Sequence, residues 1–435
     1  MVGTGIFGFT GFMAGDLGNA WLILAAWGVG ALFALAGALS YAELGINYPS
    51  SGGEYVYLTR AYGPTWGFMT GWVSFFSGFS APIAANALAF AAYLGYFFPA
   101  LKPENAPVTL GSGAWSLRLG WGQLAGAGII ALFTILNLFG VSFIAKIQNA
   151  LTATKLLVIG AFVVFGFLAG AGSWSHFSQE AARTSPHPLA VQFIISLVWV
   201  MVAYSGWNAA TYVAEEVRRP ERTLPLALGV GTAVVAALFL ALNLLFIYST
   251  PLEQMKGVLA IGSLAAQNLF GAGIGGIFSL LMAASIMATI NAMVTIGPRV
   301  YYAMANNRAF FRTAAYVHPR WHTPVPAILA QGACAIVMVV TPFPDLIFYI
   351  GLTLTFFTVM AVASVFVFRR RYPDWQKLPA VSFAFPLAPL SYIVVGAIMC
   401  GYGVVWQPKA SAAAFGTIAA GAVVYHLWLK GRQPA

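Results

Sequence analysis

Apolar stretches long enough to cross a bilayer recur along the whole chain, with little charge between them. Only 7% of the 435 residues are Asp, Glu, Lys or Arg, against about a quarter in a soluble protein. Residues of hydrophobic type make up 60%. So few polar groups cannot cover a chain of this size in water, and the bilayer must be its solvent.

A spanning helix needs about 20 mainly apolar residues, because the hydrocarbon core is about 30 Å thick and a helix rises about 1.5 Å per residue. That template predicts twelve spans: 4–17, 21–48, 63–98, 121–143, 152–173, 188–217, 224–248, 271–303, 324–341, 344–368, 385–406 and 410–430. The 63–98 stretch is longer than one crossing and should tilt or bend around Gly71, Gly78 and Pro82. The fold class expected is an all-α integral membrane protein.

Lys and Arg set the direction of such a bundle. One alternating set of connectors, with the C-terminus, holds fifteen of them, from Arg60 and Lys146 to Lys430 and Arg432. The opposite set holds five: Lys102, Arg118, Arg183, Lys256 and Lys409. Both termini are therefore predicted to be cytoplasmic. The net charge of +10 reflects this asymmetry and not a nucleic-acid surface.

Cys334 and Cys400 lie in apolar runs, and no histidine pair has metal-ligand spacing inside a span, so no disulfide, metal or cofactor is expected. An intramembrane enzyme would need acids, histidines or cysteines converging within the spans, and none converge. A channel would want a ring of repeated polar residues.

The segment "AYSGWNAATYVAEEVRRPERTLP", 203–225, interrupts an apolar run with Ser205, Gly206 and Asn208. Unwound backbone survives in hydrocarbon only where it lines a cavity or is buried in protein. Small residues for helix packing would explain one such break. A second, "GTGIF" at 3–7, stands at the start of the first span, and the two fall in spans 1 and 6. If spans 1–5 and 6–10 are repeats, these places correspond, which points to a transporter site near the bilayer midplane. A helix beginning at a break offers free N–H groups to a carboxylate, and one ending there offers carbonyls to an ammonium. Together they suit a zwitterion.

These two stretches resemble the first and sixth helices of the amino acid–polyamine–organocation (APC) superfamily, in particular its L-type amino acid transporter-like branch. "YAELGINYPSSGGEYVYLTRAYGP" (41–64) is similar to the family's link between helices 2 and 3. "ATKLLVIG" (153–160) is similar to its helix 5, and "GPRVYYAMANNRAFF" (297–311) to the end of its helix 8. The resemblance implies a LeuT-type fold with broken helices 1 and 6: inverted five-helix repeats at 1–173 and 174–377, then two extra helices at 378–435. It implies a plasma-membrane permease for amino acids working by alternating access, as an exchanger or a proton-coupled symporter. The partners implied are the amino acid, the lipid and protons.

By the same resemblance, the substrate carboxylate meets the N–H groups of Thr4, Gly5 and Ile6, next to Gly3. The amino group meets carbonyls of Val202, Ala203, Tyr204 and Ser205, with Gly206, Trp207 and Asn208 matching the family's break. Val202 is small where relatives often carry an aromatic lid, so Trp199 or Tyr204 replaces it, or occlusion is looser. Trp207 is either part of the break or a packed core aromatic. Asn208, an amide that needs partners, ties the broken helices together or reaches the substrate. Lys155 either snorkels to the interface or stands where sodium-coupled relatives hold an ion, near Gly3 and Thr289, where it could exchange a proton. One of Glu215 and Glu216 is a candidate inner gate with Arg299; the other is a solvated helix end. Pro220 should end helix 6, and Pro225 should open helix 7.

No acid lies deep in a span, which favours neutral substrates; a cationic amino acid or polyamine transporter is the alternative. Ser77, Ser80, Asn86, Thr353 and Thr355 are candidates to face the side-chain pocket. The 99–120 loop holds no cysteine, so the disulfide-linked heavy chain of animal relatives is not expected. The family's first helix has two halves, and here the chain starts at the break. The expectation is that roughly 15–35 further residues precede it in the natural protein, including an apolar half-helix.

Overall fold

Lipid offers the backbone no hydrogen bonds, and the chain answers with helices along most of its length. The computed structural model describes residues 3–49, 52–111, 116–139, 141–306 and 309–429; the side chains of 140–153, 156, 209, 212, 213, 215, 216 and 429 lie outside that description. The main helices are α1 (Thr4–Leu17), α2 (Ala20–Asn47), α3 (Glu54–Tyr62), α4 (Pro64–Leu94), α5 (Trp121–Leu138), α6 (Val141–Ala169) and α7 (Leu189–Tyr204). They continue with α8 (Pro220–Ser249), α9 (Ile261–Phe270), α10 (Ala272–Asn306), α11 (Val325–Met338), α12 (Phe343–Arg371), α13 (Leu387–Trp406) and α14 (Pro408–Trp428).

Among the described residues, eight helices are long and apolar enough to cross a membrane: α2, α4, α5, α8, α10, α12, α13 and α14. The other four expected spans map onto shorter apolar pieces: α1, 157–169 within α6, α7 and α11. Several boundaries move. The expected 188–217 span stops as an α-helix at Tyr204, and α6 starts eleven residues before the expected 152. Pro220 opens α8 rather than closing the preceding piece, since its missing N–H costs nothing at a helix start; Pro225 lies inside that helix, past its first turn. The expected bend in α4 is a π-helical turn at Ser74–Ser80, just ahead of Pro82. One small departure from an all-α chain is an antiparallel hairpin, β1 (Val108–Leu110) with β2 (Leu117–Leu119), in the 99–120 connector.

The main core wraps α1. Phe7 lies beside Gly262 of α9, and Phe9, on the other side, meets Trp199 of α7 (5.1 Å) and Phe343 of α12 (6.0 Å). The opposite face of α1 is glycine, and loop backbone lies directly on it. Gly257 donates its N–H to the Gly11 carbonyl (3.0 Å), and a Cβ at Gly11 would fall 2.2 Å from the Val258 carbonyl oxygen. Backbone cannot swing aside as a side chain can. Gly11→Ala should therefore cost about 1–3 kcal/mol, the usual range for overpacking. Gly28→Ala on α2 meets nothing within 4 Å and should be neutral or stabilising. Thermal denaturation of the two variants in detergent separates the cases; equal stability would refute the steric account.

Candidate functional site

Two helix ends meet near the middle of the bundle. α1 begins at Gly3, whose backbone is extended and which offers no side-chain cap, so the first-turn N–H groups of Thr4, Gly5 and Ile6 have no intrahelical acceptor. α7 ends at Tyr204. Ser205 is extended, and Gly206 has φ 92°, a left-handed conformation that glycine adopts without strain. The last carbonyls of α7, from 201 to 204, lose their helical partners there. The two ends touch: a Cβ on Gly5 would lie 2.8 Å from both Cα and Cβ of Ala203. Only glycine at position 5 lets the start of α1 come this close to the end of α7. The N-terminal end of α1 and the C-terminal end of α7 are thus neighbours.

One expected contact is already taken. The Val202 carbonyl accepts from both the Ser205 N–H (3.1 Å) and its hydroxyl (2.7 Å), which fills its two lone pairs. Ala203 and Tyr204 then supply the carbonyls this end can present. Of the two lid candidates, Tyr204 points away. It is fully buried, donates to the Trp27 carbonyl (3.3 Å) and packs edge-on against Trp27. Trp199 lies one helical turn before Val202 and stacks on Phe12 at 5.0 Å and 8°, with Phe9 and Phe348 set against it edge-on. Phe343 stacks on the other side of this group through Phe12, at 5.9 Å. Beyond the rings, towards Leu17, opens a cavity of about 300 Å³ lined by Asp16, Ser185, His187, Trp199, Phe348 and Gln407, among others. Phe12, Trp199 and Phe348 form part of its wall.

The remaining candidates divide. Lys155 of α6 donates from Nζ to Thr289 Oγ1 of α10 (2.8 Å) and is only 8% exposed. A snorkelling side chain would keep its ammonium in water, so this geometry differs from that reading. Ser77 and Thr353 hydrogen-bond each other at 2.5 Å across α4 and α12, and Ser80 turns back onto the Phe75 carbonyl (2.6 Å) within the π turn. Asn86 donates to the Pro82 carbonyl (2.7 Å) of its own helix, and Thr355 is buried in α12. Arg299 is exposed on α10; the side chains of Glu215 and Glu216, one of which is its expected gate partner, lie outside the described ones.

Trp207 takes the packed-aromatic role, meeting Tyr41 edge to face at 4.7 Å and 90°. Asn208 Nδ2 donates to Glu54 Oε1 (2.9 Å), on the α2–α3 corner. The sequence reading also passed over two buried acids. Glu54 is 5% exposed and Glu43 fully buried, the latter in a bidentate pair with Arg369. Both sit within "YAELGINYPSSGGEYVY", at ends of helices, where a carboxylate reads as solvated until its partners are known. Close by on α3, burial pushes the Tyr57 phenol well above its ordinary pKa, so it stays neutral.

The chain is 28% identical over 415 residues to the serine/threonine exchanger SteT of Bacillus subtilis (strain 168), covering 92% of this chain and 88% of that one. It is 26% identical over 432 residues to the large neutral amino acids transporter small subunit 2 of Mus musculus, covering 98% and 78%. With the mouse b(0,+)-type amino acid transporter 1 the identity is 27% over 394 residues, covering 89% and 77%. The model of the amino acid permease family matches residues 1–426, nearly the whole chain, which therefore belongs to that family.

Proposed function

We propose that this permease carries neutral L-amino acids, read as zwitterions between the start of α1 and the end of α7. What carries the reading is the close approach of Gly5 to Ala203, which brings the N-terminal end of α1, with its N–H groups, to the C-terminal end of α7, with its carbonyls. The α-carboxylate docks on the amides of Thr4, Gly5 and Ile6, and the α-ammonium on the carbonyls of Ala203 and Tyr204. Trp199 and its stacked rings close one side, and alternating access opens the site to each side in turn. The frame is a LeuT-type arrangement of twelve spans in the cell membrane, with inverted repeats at 1–173 and 174–377, helices 11 and 12 at 378–435, and both termini in the cytoplasm. Lys155 on Thr289 holds the place of a coupling cation. Exchange is the favoured mode, since one of the relatives is a serine/threonine exchanger. Without a cysteine in the 99–120 connector, the protein works with no disulfide-linked heavy chain.

Backbone groups read the zwitterion, while apolar walls discriminate by only about 1–3 kcal/mol per methylene. Unlabelled neutral amino acids of different size should therefore compete for radiolabelled L-threonine uptake into proteoliposomes. Their amides and the corresponding decarboxylated amines should not. Equal competition by amides or amines would remove the helix ends from the binding site; efficient competition by lysine or putrescine alone would favour the cationic alternative.

A further inference from the structure

After the break the chain does not resume an α-helix. Residues Trp207–Glu216 form a ten-residue 3-10 helix. Such runs rarely exceed about three or four residues, because their hydrogen bonds are poorly aligned. This piece is weak on its own and needs an outside hold. The hold visible in the structure is a carboxylate. Glu54 Oε1 accepts from Asn208 Nδ2 (2.9 Å) and from the Tyr41 hydroxyl (2.7 Å), and Trp207 wedges against the Tyr41 ring. Thr211, one turn further on, is fully buried and donates to the Asn208 carbonyl (2.7 Å).

The corner that presents Glu54 is built for the purpose. Gly53 has φ 47°, which turns the chain so that Glu54 opens α3 and faces inward. A carboxylate in the first turn of a helix also suits its positive end. α3 in turn is fixed to α12: Tyr62 donates to the Met360 carbonyl (3.1 Å), and Arg371 donates to the Arg60 carbonyl (3.0 Å). A continuous set of contacts thus runs from the break through Asn208 and Glu54 to α2, α3 and α12.

We propose that Glu54 is a positioning residue of the transport cycle, a latch that holds the 3-10 piece after the break against α2 and α3. While Asn208 and Tyr41 share its carboxylate, residues 207–216 stay seated and cover the break from the cytoplasmic side. When the bonds part, the piece swings and the break opens to the cytoplasm. No catalytic or substrate contact is assigned to Glu54. The proposal takes the start of α1 and the end of α7 as the transport site, but its test needs no substrate, so a wrong substrate assignment and a wrong latch give different results.

The test places a reporter thiol at the break, Ser205→Cys, in a background with Cys334 and Cys400 replaced by alanine. A membrane-impermeant methanethiosulfonate is added to inside-out vesicles and the labelling rate is measured. Glu54→Ala and Asn208→Ala should each speed labelling by about tenfold or more, the factor expected from losing a hydrogen bond to a charged group. The two together should be no faster than either alone, because they break one contact. Glu54→Gln keeps an oxygen acceptor and should stay within about twofold of the parent, and Tyr41→Phe should fall between. A purely structural acid would instead lower the melting temperature without altering the labelling rate of the folded fraction. Unchanged labelling in the two alanine variants, or rates that multiply in the double variant, would overturn the latch. So would a glutamine variant as fast as alanine. Should Glu54→Ala fail to fold, Asn208→Ala and Tyr41→Phe carry the same test, and no acceleration in either rejects the proposal.

Discussion

Lys155→Ala is expected to abolish most transport while leaving the protein folded. The ammonium of Lys155 sits 2.8 Å from Thr289 Oγ1 between α6 and α10, largely out of water. Hydrogen bonds of charged groups contribute about 1.5–3 kcal/mol, and if that energy stabilises the passage between states, its loss slows turnover about 10–100-fold. Folding should survive because the substitution strands nothing on α10. The Thr289 hydroxyl is already directed at the Ser285 carbonyl, at 3.4 Å, and can close onto it. Thr289→Val, which keeps the lysine and removes only its acceptor, should slow uptake less, by about fivefold, as for the loss of about 1 kcal/mol. The check is initial uptake in proteoliposomes, normalised to protein that elutes as a single species. Parent-like uptake by Lys155→Ala across the physiological pH range would return the residue to a packing role.

The helices were legible because lipid leaves the backbone few options, and Gly206 was legible as a break because an apolar run has no other use for Ser-Gly-Trp-Asn. The 3-10 character of 207–216 was not. The groups that Asn208 and Trp207 meet, Glu54 and Tyr41, lie on a corner more than 150 residues earlier, out of reach of any local pattern. The wide turn at Ser74–Ser80 was legible as a bend, from Gly78 and Pro82, but its kind was not: it sits where α4 packs against α10, α11 and α12, neighbours that no local pattern displays. Tyr204 and Trp199 were equivalent lid candidates in one dimension. They lie five residues apart on α7 and point to different neighbours, Tyr204 to Trp27 and Trp199 to Phe12, a distinction that exists only after α1 and α2 have packed. Glu43 and Arg369 show the same limit. Separated by 326 positions, the arginine counted only as a topology charge and the glutamate as a helix end.

That pair supports the other large expected effect. Glu43, fully buried, uses both oxygens twice: Oε1 accepts from Arg369 Nε (2.7 Å) and Trp375 Nε1 (2.9 Å), Oε2 from Arg369 Nη2 (2.6 Å) and the Leu378 N–H (3.0 Å). The Arg369 guanidinium also lies 4.1 Å above the centre of the Phe385 ring. One carboxylate thus fastens the end of α2 to the end of α12 and to the connector that leads into α13. Glu43→Ala leaves a guanidinium, an indole N–H and a backbone N–H without their acceptor in a site with little access to water. Removing one member of a buried pair costs about 3–5 kcal/mol, far above the 0–1 kcal/mol typical of an exposed pair. Arg369→Lys keeps the charge but loses the planar fork and should fall between Glu43→Ala and the parent. Replacing both members by Glu43→Leu and Arg369→Met should be milder than Glu43→Ala, because no charge is left unpaired. Thermal unfolding in detergent, followed by the monodisperse fraction on size exclusion, ranks the four proteins. A Glu43→Ala variant as stable as the parent, or a double variant worse than the single, would mean that the pair is solvated and fastens nothing.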